Sequence, residues 1–498
     1  VTIPTSVSSI GDEAFYRCSN LTEINYNAAA VADLTRSSNV FYNAGSNSDG
    51  IAVIFGESVT SIPAYLFYVN VSSRSYAPNL VNVTIGGNVE SIGSYAFRGC
   101  SNLAEINYNA AAVADLTSVS DVFYNAGSSS GGSTVIIGES VKSIPAYLFG
   151  SANITSVTIG SNVESIGSYA FQNCRGIKEI TVPASVTSIG GYAFYGCSGL
   201  TEITIPEGVA SINAYTFYGC SSLKEIVLPA SVTSIGENAF YNCSSLIEIM
   251  IPASVTSIGG DAFYNCSSLI EITIPARVTG ISSYVFYKCS SLKAVTISEG
   301  VKSIGSYAFY WCNGLTEITI PASVTSIGEY AFQGCGGLTN VTIEEGVTSI
   351  GRCAFSECTS LTEITIPGSI TSIGRNAFQN CSRLTEITIF EGMTTIGDQA
   401  FYGCSGLTRI TIPDSVTSIG QYAFSRCSSL TEITIPESVT RIDGHAFSDC
   451  SSLTELTIPA SVTSIRDRAF SYCSGLEKIT VAEGNSAYHS DGDCLIET

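Results

Sequence analysis

The feature that most restricts what this chain can fold into is a period of 23 residues that runs without a slip from residue 156 onward. Cysteine marks it: Cys174, Cys197, Cys220, Cys243, Cys266, Cys289, Cys312, Cys335, Cys358, Cys381, Cys404, Cys427, Cys450 and Cys473 follow one another at that spacing. Phenylalanine keeps the same beat three residues earlier, from Phe171 through Phe470. A fixed period of this length belongs to stacked-coil architectures, in which each repeat is one unit that cannot bury its apolar side alone. The 498 residues would by length suggest about three domains at roughly 150 residues each. No linker, charged run or low-complexity block supplies the boundaries, so the repeats override that expectation.

One coil shows what each position is for. Leu200, Ile203 and Ile205 follow a Leu-x-x-Leu-x-Leu pattern, a short strand whose alternate side chains point inward. Pro206 lacks an N–H and ends the strand. Val209 and Ile212 face inward from the returning side. The glycine that usually follows that Ile (Gly190, Gly236, Gly259) predicts a turn at positive φ, although Pro63 and Pro145 in the same slot show that not every coil needs one. The segment around Phe217 is too short for a full helix and reads as a single helical turn with Phe inside. The apolar residues of one coil cannot outweigh the entropy of ordering it, so stability must come from neighbouring coils.

The first 155 residues read as the same architecture with coils of about 22 to 30 residues, marked by Phe15, Phe41, Phe67, Phe97, Phe123 and Phe149. They carry an internal duplication: Glu23 to Asn27 recurs 82 residues later as Glu105 to Asn109, and Val40 to Gly45 as Val122 to Gly127. The extra residues, Ser46 to Gly50 and Ser128 to Ser133, are expected to be protruding loops. Counting phenylalanines gives 20 coils, hence a rod of roughly 95 Å at about 4.8 Å per strand. The expected organisation is one solenoid over 1–498: irregular coils over 1–155, regular coils over 156–484, and a terminal hairpin, or the start of further repeats, over 485–498. Asp491-Gly492 between two strand-like runs is the hairpin signal. Val1-Thr2-Ile3-Pro4 reads as the end of a repeat strand rather than a signal peptide, so any export signal or anchor is expected outside this segment.

The pattern Leu-x-x-Ile-x-Ile-Pro-x-x-Val-x-x-Ile-x-x-x-Ala-Phe-x-x-Cys, as in Leu315 through Cys335, resembles the BspA-like, or Treponema pallidum-type, family of leucine-rich repeats. Val481 to Asn485, with Tyr488-His489 and Cys494 to Ile496, resembles a recurring segment of the same proteins. The resemblance implies an α/β-type repeat, mostly β: a right-handed leucine-rich-repeat solenoid, horseshoe or rod, with a parallel β-sheet along one face. It also implies secreted or surface-displayed proteins of host-associated bacteria and some protists, with adhesion to host or matrix proteins. Ser298, Glu344, Phe390 and Ala482 depart from the Pro position, and Arg409 and Lys478 from the Glu column.

Charge narrows the partners. The net charge is −21 and the pI about 4.4, which repels phosphate backbones and anionic lipid and favours basic protein patches. No apolar run approaches the length of about 18 residues that a membrane helix needs.

Three surface or core columns are candidates for chemistry. Stacked cysteines would come within disulfide range, but their slot points inward and parallel side chains do not face each other. A column of buried reduced thiols is therefore favoured, with disulfides between some neighbours left open. Cys353 and Cys494 lie off the column and are the better candidates for reactive thiols. No Cys-x-x-Cys or Cys-plus-His cluster suggests a metal site.

The second column is acidic: Glu202, Glu225, Glu248 and Glu271, with further members from Glu179 to Glu455, share one outward strand position. Like charges at that separation cost roughly 0.8 kcal/mol per pair before screening. A solvated stripe that discourages edge association, a docking stripe for a basic partner, and weak Ca²⁺ accumulation are all compatible with it. A Thr column runs beside it, from Thr204 to Thr457. The third column is Tyr195, Tyr218, Tyr241, Tyr264, Tyr287 and Tyr310, each following a buried Phe. It reads either as rings stacked along the rod or as a strip that binds protein or glycan.

His445 and His489 are about two coils apart and neither has a nucleophile partner in sequence. No phosphate loop or His-Glu-x-x-His occurs. The sequence therefore points to a non-enzymatic, cofactor-free, monomeric protein of the cell exterior that binds extracellular proteins or glycans. A spacer that presents another domain is the rival.

Overall fold

The computed structural model describes residues 1–70, 77–491 and 494–497. Among them every regular element is a strand and none is a helix. The chain divides into two units, Val1–Pro252 and Ala253–Thr498.

In the first unit, Thr2–Ile3, Glu23–Tyr26, Ile51–Phe55, Leu80–Ile85, Glu105–Tyr108, Ser133–Ile137 and Ile154–Ile159 form a seven-stranded parallel sheet. A four-stranded parallel set follows: Glu179–Thr181, Glu202–Thr204, Glu225–Val227 and Glu248–Met250. In the second unit the same strand recurs as parallel pairs and a triplet, from Glu271–Ile274 to Lys478–Val481. Side chains alternate along each strand, so Ile203 and Ile205 are buried while Glu202 and Thr204 are exposed.

A second ladder was not expected. The Ser-Ile pair that ends the returning side of each coil also pairs with its neighbours. In the second unit it builds an eight-stranded parallel sheet from Ser303–Ile304 to Ser464–Ile465.

The segment around each Phe is not the helical turn that the sequence suggested. Ala308, Tyr310 and Cys312 donate their N–H groups three residues back, to Gly305, Tyr307 and Phe309. The intervening Tyr307, Phe309 and Trp311 donate instead to the next coil, at the carbonyls of Glu329, Ala331 and Gln333. A helix needs every N–H to go four residues back. Here alternate N–H groups leave the segment, so it forms linked turns and a third ladder between coils. Tyr307 (φ 59°) and Trp311 (φ 58°) are left-handed, as the third residue of a type II turn must be.

The glycine slot after the inward Ile also works differently from expectation. Gly190 and Gly236 do not have positive φ. A Cβ on Gly190 would lie 2.5 Å from the Ser168 N, and one on Gly236 would lie 2.5 Å from the Ala214 N. In these coils the backbone of the preceding coil passes against the slot, and because the slot needs no positive φ, Pro63 and Pro145 can occupy it in others.

In four coils a glycine at positive φ accompanies the loss of the strand-ending proline. Ser298, Glu344, Phe390 and Ala482 have an N–H that Pro lacks, and each donates it to the previous coil, at Ile274, Ile320, Ile366 and Ile458. The ladder gains a rung, and in these four coils the chain then turns differently. Two residues later stand Gly300 (φ 114°), Gly346 (φ 129°), Gly392 (φ 134°) and Gly484 (φ 90°). Gly208, after Pro206, has no such φ. A Cβ on Gly392 would also sit 2.1 Å from the Gly368 O. Gly392→Ala is expected to destabilise the second unit by about 3 kcal/mol, and Gly208→Ala by clearly less; urea midpoints of the two variants check this.

Inside, Phe rings stack coil on coil. In the second unit, Phe309 lies 5.3 Å from Phe286 and 5.1 Å from Phe332, and all three are fully buried. At the C-terminal end, Tyr488–Asp491 pairs antiparallel with Cys494–Glu497. The Tyr488 hydroxyl accepts the Ile465 N–H at 2.8 Å and so closes the end of the short ladder.

Candidate functional site

The cysteine column is built into the core. Those from Cys174 to Cys450 are buried and all are free thiols, while Cys473 is partly exposed. The thiols donate to the carbonyl of the Phe one coil back, as from Cys197 to Phe171 at 3.1 Å, Cys220 to Phe194 at 3.2 Å and Cys335 to Phe309 at 3.2 Å. The Phe carbonyl, which already accepts the N–H three residues on, thus gains a second donor that an Ala in the slot would not provide. Burial pushes the thiols up from an ordinary value of 9.0, to about 12 for Cys197 and Cys335. Cys353 is buried as well, and burial raises it against the lowering effect of Arg352; this makes it a poor nucleophile. The Cys494 side chain lies outside the described residues. Cys18 is exposed. Iodoacetamide under native conditions is therefore expected to label Cys18 within minutes and leave Cys197, Cys220 and Cys335 unlabelled until denaturant is added; peptide mass spectrometry reads the result.

The acidic column lies on the outward face of the long strands. Glu202, Glu225, Glu248 and Glu271 are all exposed. In the first unit Glu179 stands beside Glu202 and Glu225 beside Glu248 in register. In the second unit Glu271 stands beside Ala294, Glu386 beside Arg409 and Glu455 beside Lys478, which breaks the run of like charge. Among the described residues no three His, Cys, Asp or Glu side chains converge on a point that could hold a metal ion.

The tyrosine column is half-buried. In the first unit Tyr195 stacks on Tyr218 at 4.7 Å, and Tyr218 on Tyr241 at 4.6 Å. In the second unit Tyr264 stacks on Tyr287 at 4.5 Å, and Tyr287 on Tyr310 at 4.8 Å. The planes lie within 11° of parallel, so the ring faces are spent on one another and edges and hydroxyls remain for solvent.

A second tyrosine column, which the sequence reading passed over, stands two residues before the Phe in several coils. Tyr147, Tyr169, Tyr192 and Tyr215 stack at 4.3 to 4.4 Å in the first unit. Tyr284, Tyr307 and Tyr330 stack at 4.6 to 4.8 Å in the second. These tyrosines are left-handed, with φ from 59° to 61°. That backbone costs about 1–2 kcal/mol for a residue with a Cβ, and ring stacking of about 0.5–1.5 kcal/mol per pair offsets most of it. The two columns touch with tilted rings, as at Tyr192 and Tyr195, 5.8 Å apart. The 23-residue recurrence of Tyr169, Tyr192 and Tyr215 was the available signal.

His445 stacks on Tyr422 at 4.5 Å, whereas His489 belongs to the terminal hairpin. No helix among the described residues is long and apolar enough to cross a membrane.

Comparison with known proteins agrees with this architecture. The family described as "BspA type Leucine rich repeat region (6 copies)" matches residues 1–110, 71–201, 187–315, 302–430 and 394–491. A leucine-rich repeat protein from Bacteroides ovatus is similar, at 37% identity and a TM-score of 0.60, over 64% of this chain and 82% of that one. A leucine rich cell surface protein from Faecalibacterium prausnitzii shares 30% identity over 64% of this chain and 83% of its own, with a TM-score of 0.37. The T. pallidum leucine rich repeat protein shares 26% over 42% and 79%, with a TM-score of 0.31. The search of curated proteins finds no match. The family description covers nearly all of the sequence from several overlapping starts, and the coils show why each of its positions recurs: the chain belongs to the BspA-type leucine-rich-repeat family.

Proposed function

We propose that this chain is a non-enzymatic binding protein of the cell exterior, whose outward strand face holds a protein partner. The observation that carries this reading is the outward face itself. Exposed Glu and Thr stand in columns on strands that the buried Ile, Phe and Cys hold rigid. A rigid surface loses little entropy on binding, and an acidic one draws basic partners. The resemblance to surface-displayed adhesion proteins supports the location. Stacking of the tyrosines favours protein over glycan: sugar rings pack on open aromatic faces, and these faces are covered. The tyrosine edges remain a second contact strip.

The test is binding of the chain to an immobilised panel of matrix proteins, mucins and glycans, at low and high salt. The same chain with Tyr218, Tyr241 and Tyr264 each changed to Ser is run in parallel. Saturable binding to a protein that weakens at high salt and survives in the Ser variant supports the strand face. Loss in the Ser variant moves the site to the tyrosine strip. Absence of saturable binding to anything on the panel favours a spacer role.

A further inference from the structure

The outward face carries one interruption that the fold does not need. In the first unit the column that holds Thr181 and Thr204 continues as Val227 and then Met250. Both are 77% exposed, and they stand side by side in register on neighbouring strands. Ile247, 46% exposed, lies on the same coil as Met250. The inward residues of the two strands, Ile226 and Ile249, stay buried as in every other coil, so the apolar pair adds nothing to the core. Thr suits an exposed strand position at least as well as Met.

Single exposed apolar residues are ordinary on protein surfaces. Ile54 and Ile136 are of that kind, because Thr84 and Asn107 separate them along the same column. An adjacent pair reinforced by a third residue is different, and contiguous exposed apolar surface rimmed by polar groups marks interaction sites. The rim here is acidic. Glu225 and Glu248 occupy the neighbouring outward column, with Glu202 one coil before. Lys224 stands beside Glu225, whereas the corresponding position beside Glu248 is Ile247. The charge of Glu248, next to Met250, therefore lacks the neighbouring lysine that Glu225 has.

We propose that Val227 and Met250 anchor a protein segment that presents large apolar side chains flanked by Lys or Arg, with a basic group over Glu248. This deepens the reading of the outward face as a protein-binding surface and rests on it. Binding energy concentrates in a few desolvated apolar anchors surrounded by near-neutral contacts, and Val227 and Met250 supply the only such adjacent pair among the described outward residues of this unit's strands.

The test uses the whole chain and three synthetic peptides: alternating Arg and Leu, alternating Arg and Ser, and alternating Glu and Leu. Two variants accompany it. Val227→Thr/Met250→Thr restores the residue that neighbouring coils carry at this position, so the fold is kept. Glu225→Gln/Glu248→Gln removes the acidic rim. The proposal expects saturable binding of the Arg-Leu peptide alone, weakened about tenfold or more by the Thr variant and deprived of its salt dependence by the Gln variant. Equal affinity of the Thr variant, with loss only in the Gln variant, overturns the apolar anchor and leaves the acidic face as the binding surface. Failure of the Arg-Leu peptide to bind the unmodified chain, while a protein on the panel does bind, overturns the assigned partner chemistry and not the wider reading.

Discussion

Above pH 9 the second unit is expected to unfold over a narrow pH range. Burial raises Cys289, Cys312, Cys335, Cys358, Cys404 and Cys427 from an ordinary value of 9.0. A thiol held protonated by the fold releases its proton more readily in the unfolded chain. The stability tied to that proton is fully present below pH 9 and is lost as the pH climbs toward the folded value, about 12 for Cys289, Cys335 and Cys427. Each such group costs about 1.4 kcal/mol per pH unit beyond 9, so six together cost about 8 kcal/mol per unit. That slope is comparable to the whole stability of an ordinary domain. Far-UV circular dichroism under a reductant, followed from pH 7 to alkaline pH, should show a cooperative loss beginning about one unit above pH 9. Replacing three of the column thiols by Ala should lower the starting stability and flatten the pH slope. A signal unchanged well above pH 11 would show that the column is not titrating with folding.

Phe309→Ala is the substitution expected to cost most. The ring is fully buried and stacks on Phe286 and Phe332, and the Phe309 carbonyl accepts the Cys335 thiol. Removing the ring leaves a cavity between three coils that rigid ladders keep from collapsing, so the loss should reach about 4 kcal/mol. Because coils touch only their neighbours, the damage should be local. Hydrogen exchange should rise in the strands from Ser303–Ile304 to Asn340–Ile343 and remain slow near Glu363–Ile366. Uniform exchange across the unit would mean that it unfolds as one cooperative block.

Much of this was legible in the sequence because the period does the work of an alignment. Leu200, Ile203, Ile205, Phe217 and Cys220 recur at fixed offsets, and a residue that recurs every coil at an alternating apolar position can only point inward. The second ladder was not legible, since a two-residue Ser-Ile strand is too short to show an alternation. The turn around Phe was misread as helical because Tyr215 and Tyr218 carry no turn signal. Only the 23-residue spacing of tyrosine, whose stacking offsets the left-handed backbone, betrays it. Glycine misled for a related reason. Gly190 marks a close approach rather than a positive φ, and Gly208 and Gly392 look alike until Pro206 and Phe390, two residues before them, are compared. The columns of Glu and Tyr could be read as columns, but which ring faces stay open depends on stacking geometry that spacing does not contain. Val227 and Met250 were visible as gaps in the Thr column, and only their exposure shows that the gap faces solvent.

The most direct test of the account is a salt titration of the chain against the protein that it binds best on the panel, alongside a variant with Glu202, Glu225 and Glu248 each changed to Gln. If the outward strand face is the binding surface, affinity of the unmodified chain falls steeply with salt, and the variant binds more weakly with little salt dependence left. If the variant binds as tightly as the unmodified chain, with the same response to salt, the outward face is not where the partner sits.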